Sequence, residues 1–303
     1  MHVVSASRRT DIPAFHAQWF ANRLREGWVR VRSPFGGGVH EVSLRADDVI
    51  AIVFWTKNAA PLMPLLDEVL ASGHCFTFLY TINNYPSIIE PRVPSLDHSL
   101  RVVQTLVERY SRSSIRWRYD TIVLTDQLNP RWHAANFVTL CERLAPYTNE
   151  CIFSFCDYYR KTIRNMERRV PSHARPTETE CRELAEELAE IAARNSIKLL
   201  SCSHEFLVSA RIGSARCIDP EFLAGVVDSA KRKQALSALK RAPTRKECHC
   251  AASRDIGAYD TCGHGCVYCY ANAEPERAAN NLALIGPDSP TLDPASVVVG
   301  GRP

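Results

Sequence analysis

Strong charge imbalance is absent from this sequence of 303 residues: 37 Lys and Arg stand against 33 Asp and Glu, an excess of four that favours solubility without demanding a nucleic-acid partner. No apolar run is long enough to cross a bilayer, so a membrane partner is not expected. The first ten residues carry two arginines and no apolar core of a signal peptide. A cytoplasmic protein is expected on these grounds. No segment repeats at a fixed period and no low-complexity tract occurs, which excludes solenoids and collagen-like order. At 46% hydrophobic and 23% charged, the remainder is the composition of a globular chain with a sizeable core. Cysteine is the one residue in excess, with 12 copies. Thiols stay unpaired in a reducing compartment, so metal or redox chemistry explains them better than a disulfide framework.

Six short apolar runs, at residues 2–5, 49–55, 76–82, 115–119, 151–155 and 197–201, read as strands, and the segments between them carry helical spacing. The clearest helix is 177–194, where Thr177 and Glu180 match a capping box and Leu184, Leu188 and Ile191 form one apolar stripe. Strands alternating with helices predict an α/β fold with a parallel sheet. The favoured architecture is a full or partial (β/α) TIM-like barrel over residues 1–240, with a C-terminal cysteine-rich iron–sulfur segment, residues 241–303, packed on it. A doubly wound open sheet is the alternative.

In barrels the active site gathers on loops after the strands. Here those loops are polar: Arg8, Arg9 and Asp11 follow the first strand, Lys57 and Asn58 the second, and Asn83-Asn84-Tyr85 the third. Arg118 and Asp120 stand at the fourth, Asp157 after the fifth, and Cys202 after the sixth. The pattern predicts one shared pocket, although Arg118 with Asp120 also reads as a local pair and Lys57-Asn58 as a helix cap.

Five of the cysteines fall between Cys248 and Cys269, and the strongest chemical signal among them is Cys262, Cys266 and Cys269, a C-x3-C-x2-C triplet. Three thiolates on one short loop can hold three irons of a [4Fe-4S] cluster and leave the fourth open. Gly263 and Gly265 let the backbone approach an inorganic core closely. Zinc is the competing occupant, since Cys248 and Cys250 supply further thiols, but zinc ribbons pair two C-x2-C knuckles and this sequence does not. His249 and His264 read as hydrogen-bonding neighbours rather than ligands. Cys75, Cys141, Cys151, Cys156 and Cys181 sit singly in apolar or helical contexts and read as core residues.

The triplet loop, with aromatic Tyr268 before its last cysteine, is similar to the loop that defines radical S-adenosylmethionine enzymes. Over most of its length the chain resembles the family catalogued as domain of unknown function 1848. The resemblance is carried by residues 5–14, 53–58, 117–120, 217–219, 255–259 and 268–272, together with Pro34-Phe35, Ser154-Phe155, Asp157 and Thr261-Cys262. It implies S-adenosylmethionine at the open iron, reductive cleavage of its sulfonium and an electron donor of reductase, flavodoxin or ferredoxin type. It also implies that Cys202, Cys217, Cys248 and Cys250 form an auxiliary set, for a second [4Fe-4S] cluster or for zinc. In most of the superfamily the triplet follows the first strand. Here it comes after all six, so the loop has to fold back over the strand ends.

The expected activity is therefore that of a radical S-adenosylmethionine-type enzyme on a small-molecule or other substrate that the resemblance does not name. The candidate catalytic residues are Arg8, Asp11, Lys57, Arg118, Asp120 and Asp157; Arg9, Asn58, Gly265 and Tyr268 are the candidates for holding the cofactor. Transfer of a 3-amino-3-carboxypropyl group from the same cluster is one alternative. A non-catalytic iron–sulfur or zinc protein that binds nucleic acid or carries electrons is another. The seven Lys or Arg in 231–246 and five in 160–169 are basic enough to contact phosphates, but they lack interleaved aromatic residues for stacking on bases.

Overall fold

The alternating runs fold into one eight-stranded sheet flanked by helices. The structure is a computed structural model describing residues 1–34, 36, 38–170 and 172–299, with side chains through 296; Phe35 and residues 300–303 lie outside the described residues. Seven strands lie side by side in their sequence order: His2–Ala6, Val49–Thr56, Phe76–Thr81, Ile115–Ile122, Glu150–Phe155, Lys198–Ser201 and Ile212–Ser214. An eighth, Ser253–Asp255, pairs along the free side of the first. Every pairing in this sheet is parallel.

Helical crossovers are what allow parallel neighbours, and their sequences explain where they form. Ser95 caps Leu96–Tyr110, Asn129 caps Pro130–Leu144, and Thr177 with Glu180 closes the expected capping box at the start of Glu178–Arg194. All eight residues of the second strand are buried, as befits a parallel strand covered on both faces. Val4, Ile52, Phe54, Phe78, Trp117 and Phe153 point to the helix side. On the opposite face Val3, Val53, Leu79, Ile152 and Leu200 join one cluster with Cys202, Cys217, Cys248 and Cys250.

The α/β class with a large parallel sheet is as expected, but no hydrogen-bonded ladder among the described residues joins the seventh strand to the eighth. A doubly wound sheet would reverse its strand order partway, whereas here only the last strand lies on the other side of the first. The seventh and eighth strands, and the antiparallel ribbon Trp28–Arg32 with Val39–Ser43, were not anticipated. The eighth comes from the cysteine-rich segment, which thereby contributes to the sheet itself. No helix among the described residues is long and apolar enough to cross a membrane.

Candidate functional site

Asp11 explains how a loop from the end of the sequence reaches the ends of the first strands. Its carboxylate caps the short helix Ile12–Phe15 through Ala14 N at 3.0 Å. It also accepts from Thr56 Oγ1 and Lys57 N, both at 2.7 Å, and lies 2.7 Å from His264 Nε2. The second strand's end and the triplet loop are thus tied to one buried carboxylate. Further bonds hold the loop along its length: Arg92 N donates to His264 O at 3.2 Å, Val267 N to Ile89 O at 3.1 Å, and Tyr270 OH to Arg8 O at 2.5 Å. His16 Nε2 adds a contact of 3.0 Å to Thr261 O.

Both glycines of the loop are required by its surroundings. A Cβ on Gly263 would stand 2.5 Å from the Phe15 ring, and Gly265 has φ +72, the left-handed region that side chains disfavour.

Beside the triplet lies a buried polar knot. Glu90 Oε1 accepts from Lys57 Nζ at 2.8 Å, from Asn83 Nδ2 at 2.9 Å and from the Tyr268 hydroxyl. Burial pushes the Glu90 carboxyl up, but the Lys57 charge and these hydrogen bonds outweigh it, so the carboxyl titrates below its ordinary value. Burial likewise opposes the Lys57 charge and Glu90 restores it, with Cys266 adding to the same effect. Cys262 and Cys269 both act electrostatically on Cys266, so the three sulfurs share one neighbourhood. Burial pushes all three thiols up, Cys262 to about 12. A thiol so placed is stabilised as the thiolate by a neighbouring cation.

The second cysteine set is assembled from three separate segments. Cys202 Sγ lies 3.7 Å from Cys217 Sγ, and Cys250 is a hydrogen-bonding neighbour of both Cys217 and Cys248. All four are buried. Arg245 Nη2 donates to Cys202 Sγ at 3.6 Å, and Thr244 Oγ1 to Cys248 Sγ at 3.6 Å. The hydrogen bond from Cys217 pulls Cys202 down to about 6 against burial, with Arg245 and Arg118 assisting. Cys250 is lowered for the same kind of reason, by Cys217 and Cys248, while Cys217 is raised in exchange.

The 3.7 Å separation is close to the edge of a tetrahedron with metal–sulfur bonds of about 2.3 Å. Nevertheless, no group of three or more His, Cys, Asp or Glu among the described residues takes up an arrangement that holds a metal ion. Both sulfur sets suit iron–sulfur or zinc chemistry by donor type alone.

The other expected residues divide between these two regions. Asp157 pairs with Arg245 and lies 3.9 Å from His204 Nε2, next to the second set. Asp120 accepts from Arg118 Nη2 at 2.6 Å, the local pair read from the sequence, and also from Ser154 Oγ. Arg8 and Arg118 both stack on Trp55, at 4.7 and 4.9 Å from guanidinium carbon to ring centroid. Arg9 instead turns to the eighth strand, donating to Asp255 Oδ1 and Asp255 O at 3.0 Å each. Asn58 closes its own turn, with Oδ1 accepting from Ala60 N at 3.2 Å. Tyr268 is held by Glu90 and packs on Tyr85, ring centroids 6.2 Å apart.

Trp55, Glu90, Arg245 and Asp255 are among the residues of these networks not singled out from the sequence for chemistry. Asp255 accepts from Ser5 Oγ, Ser7 Oγ, Arg8 N and Gly257 N as well as Arg9, which locks the first strand's loop to the eighth. Nothing near Glu90 in the sequence marks it. Some members of the basic runs are paired within the chain: Arg164 and Arg168 face Glu274 at 3.8 and 4.0 Å, and Arg232 is buried with Nη2 2.6 Å from Gly73 O.

No curated protein and no solved structure matches the chain. A family model does, over residues 3–271, and it takes in both cysteine sets and the anchoring network just described. The chain belongs to the family described as Domain of unknown function (DUF1848).

Proposed function

We propose that this chain is an iron–sulfur enzyme of the radical S-adenosylmethionine type, with Cys262, Cys266 and Cys269 holding an open [4Fe-4S] cluster across the mouth of a barrel-like sheet. The observation that carries the reading is the C-x3-C-x2-C loop itself, bound through Asp11, Ile89, Arg92 and Arg8 to the loops that follow the first three strands. The barrel-like part is supported by strand order and by contacts across the sheet. Arg8, after the first strand, is an electrostatic neighbour of Cys217, after the seventh, as a sheet curling toward closure would bring them.

When bound, such a cluster supplies the electron that cleaves S-adenosylmethionine reductively. The chain's own residues do the rest. Asp11 and His264 fix the loop's orientation, and Lys57 places a buried positive charge beside Cys266 that favours its thiolate. Glu90 holds Lys57 and the Tyr268 hydroxyl, so the ring of Tyr268 presents a fixed apolar face. Cys202, Cys217, Cys248 and Cys250 hold the auxiliary cluster, with Arg245 offsetting its negative charge. The electron comes from a cytoplasmic flavodoxin- or ferredoxin-type donor.

Anaerobic reconstitution with iron and sulfide, followed by S-adenosylmethionine and a strong reductant, tests the reading. Wild type is expected to release 5′-deoxyadenosine and Cys266→Ala none. Methylthioadenosine would instead assign the chain to 3-amino-3-carboxypropyl transfer. Neither product from a reduced, intact cluster would overturn both.

A further inference from the structure

Three buried N–H donors at the strand ends have no hydrogen-bond partner: Arg8 Nη2, Trp55 Nε1 and Arg118 Nε. They belong to side chains in mutual contact, because both guanidinium groups stack on the Trp55 ring at 4.7 and 4.9 Å. Trp55 is 9% exposed and the Arg118 side chain 11%, so bulk water does not easily serve these donors. An unpaired buried donor is costly, and three grouped about one ring form a site that asks for an acceptor. All three atoms only donate, so the ligand group has to accept. Two guanidinium groups, each with one buried, unpartnered nitrogen, favour an oxyanion over a neutral carbonyl.

The place of this group in the fold narrows its use. Cys217 and Tyr270 are electrostatic neighbours of both Arg8 and Arg118, and Tyr270 follows Cys269 directly. The donors therefore stand between the second cysteine set and the triplet loop. Lys57, by contrast, is committed to Glu90 beside Cys266. The cationic groups at the mouth thus fall into two separate sets, one beside the triplet and one facing inward from it.

We infer that Arg8, Trp55 and Arg118 form a receptor for the carboxylate or phosphate of the substrate, distinct from the groups that meet the cofactor. The inference rests on the enzyme reading above and gives its substrate a chemical class, an organic anion. One arm of the receptor is already balanced: Arg118 Nη2 is bonded to Asp120 and Arg8 Nη1 lies 3.2 Å from Ser253 Oγ, which leaves the unpartnered atoms to the ligand. Trp55 serves twice, as a platform for both guanidinium groups and as a neutral donor.

Calorimetric titration of the full-length protein with inorganic phosphate, and separately with acetate, tests the receptor without relying on turnover. Saturable 1:1 binding of at least one anion is expected, and the stronger of the two identifies the substrate group. Arg118→Gln should weaken it at least about tenfold, and Trp55→Phe, which keeps the ring and removes the N–H, about threefold to tenfold. Arg143→Gln, at a surface pair with Asp97, should leave it unchanged. Binding should persist in Cys266→Ala, so loss of cleavage activity and loss of the receptor are separable results. Absence of saturable binding, affinity unaltered by Trp55→Phe in a protein that melts like wild type, or displacement of the anion by S-adenosylmethionine would each overturn the inference.

Discussion

Cys262, Cys266 and Cys269 lie on one loop among Asp11, Lys57 and Glu90, whereas Cys202, Cys217, Cys248 and Cys250 come from three segments and face the guanidinium groups of Arg8, Arg118 and Arg245. The electrostatic result differs accordingly. Burial pushes every triplet thiol up and so favours its protonated form. In the second set, sulfur–sulfur hydrogen bonding already draws Cys202 and Cys250 down, with Arg245 assisting the first and Arg8 the second, while Cys217 and Cys248 are raised. On the proposed reading, the first region is a loop that would take a metal with one face left free, and the second is a set of four thiols with cationic neighbours already in place. On the same reading, reactivity belongs with the first and structural or electron-relay duty with the second.

Asp11→Ala is the substitution expected to disturb this contrast most. It leaves Thr56 Oγ1, Lys57 N and His264 without their shared acceptor, and a loss of about 3 kcal/mol in stability is expected from urea midpoints. Iron retained at the triplet should fall with it, while the second set keeps its metal. An equal loss from both sets would mean that Asp11 supports the whole fold and not the loop.

His133 gives an effect of similar size that depends on pH. Its Nε2 lies 3.0 Å from Val123 O and its Nδ1 2.6 Å from Tyr119 OH, behind Tyr85, which packs on Tyr268. Burial holds the ring's titration at about 4 instead of 6.5. The unfolded chain takes up that proton first as pH falls, so stability is complete above pH 6.5 and declines between 6.5 and 4. The shift corresponds to about 3 kcal/mol, and His133→Gln should flatten the slope of urea midpoint against pH over that window.

Much of the fold was legible in the sequence because its signals are local. The six apolar runs become sheet strands, and the capping box at Thr177 and Glu180 forms as read. The seventh and eighth strands are three residues each, one with Gly213 at its centre and the other Ser-Arg-Asp, so no apolar alternation betrays them. The candidate site was legible in residue type but not in its wiring. Tyr268 and Glu90 are 178 positions apart and His264 and Asp11 are 253 apart, and no local pattern encodes such partners. The close approach of Gly263 to Phe15 is of the same kind: the glycine was visible, but its neighbour was not.

That contact supplies a smaller test. Gly263→Ala should cost about 2 kcal/mol through the clash with Phe15, and a paired Phe15→Ala should recover part of it. Smaller still is Arg245→Met, which removes the donor to Cys202 from a half-buried position. A loss of about tenfold in metal affinity at the second set is expected from chelator competition, with the triplet unaffected.

The most direct test of the division between the two regions is electron paramagnetic resonance of the reduced, reconstituted Cys248→Ala/Cys250→Ala protein, recorded with and without S-adenosylmethionine. A four-iron signal that persists in this variant, shifts when S-adenosylmethionine is added and vanishes with Cys266→Ala is the predicted result. A wild-type protein that takes up zinc alone and shows no iron–sulfur signal on reduction would contradict the account.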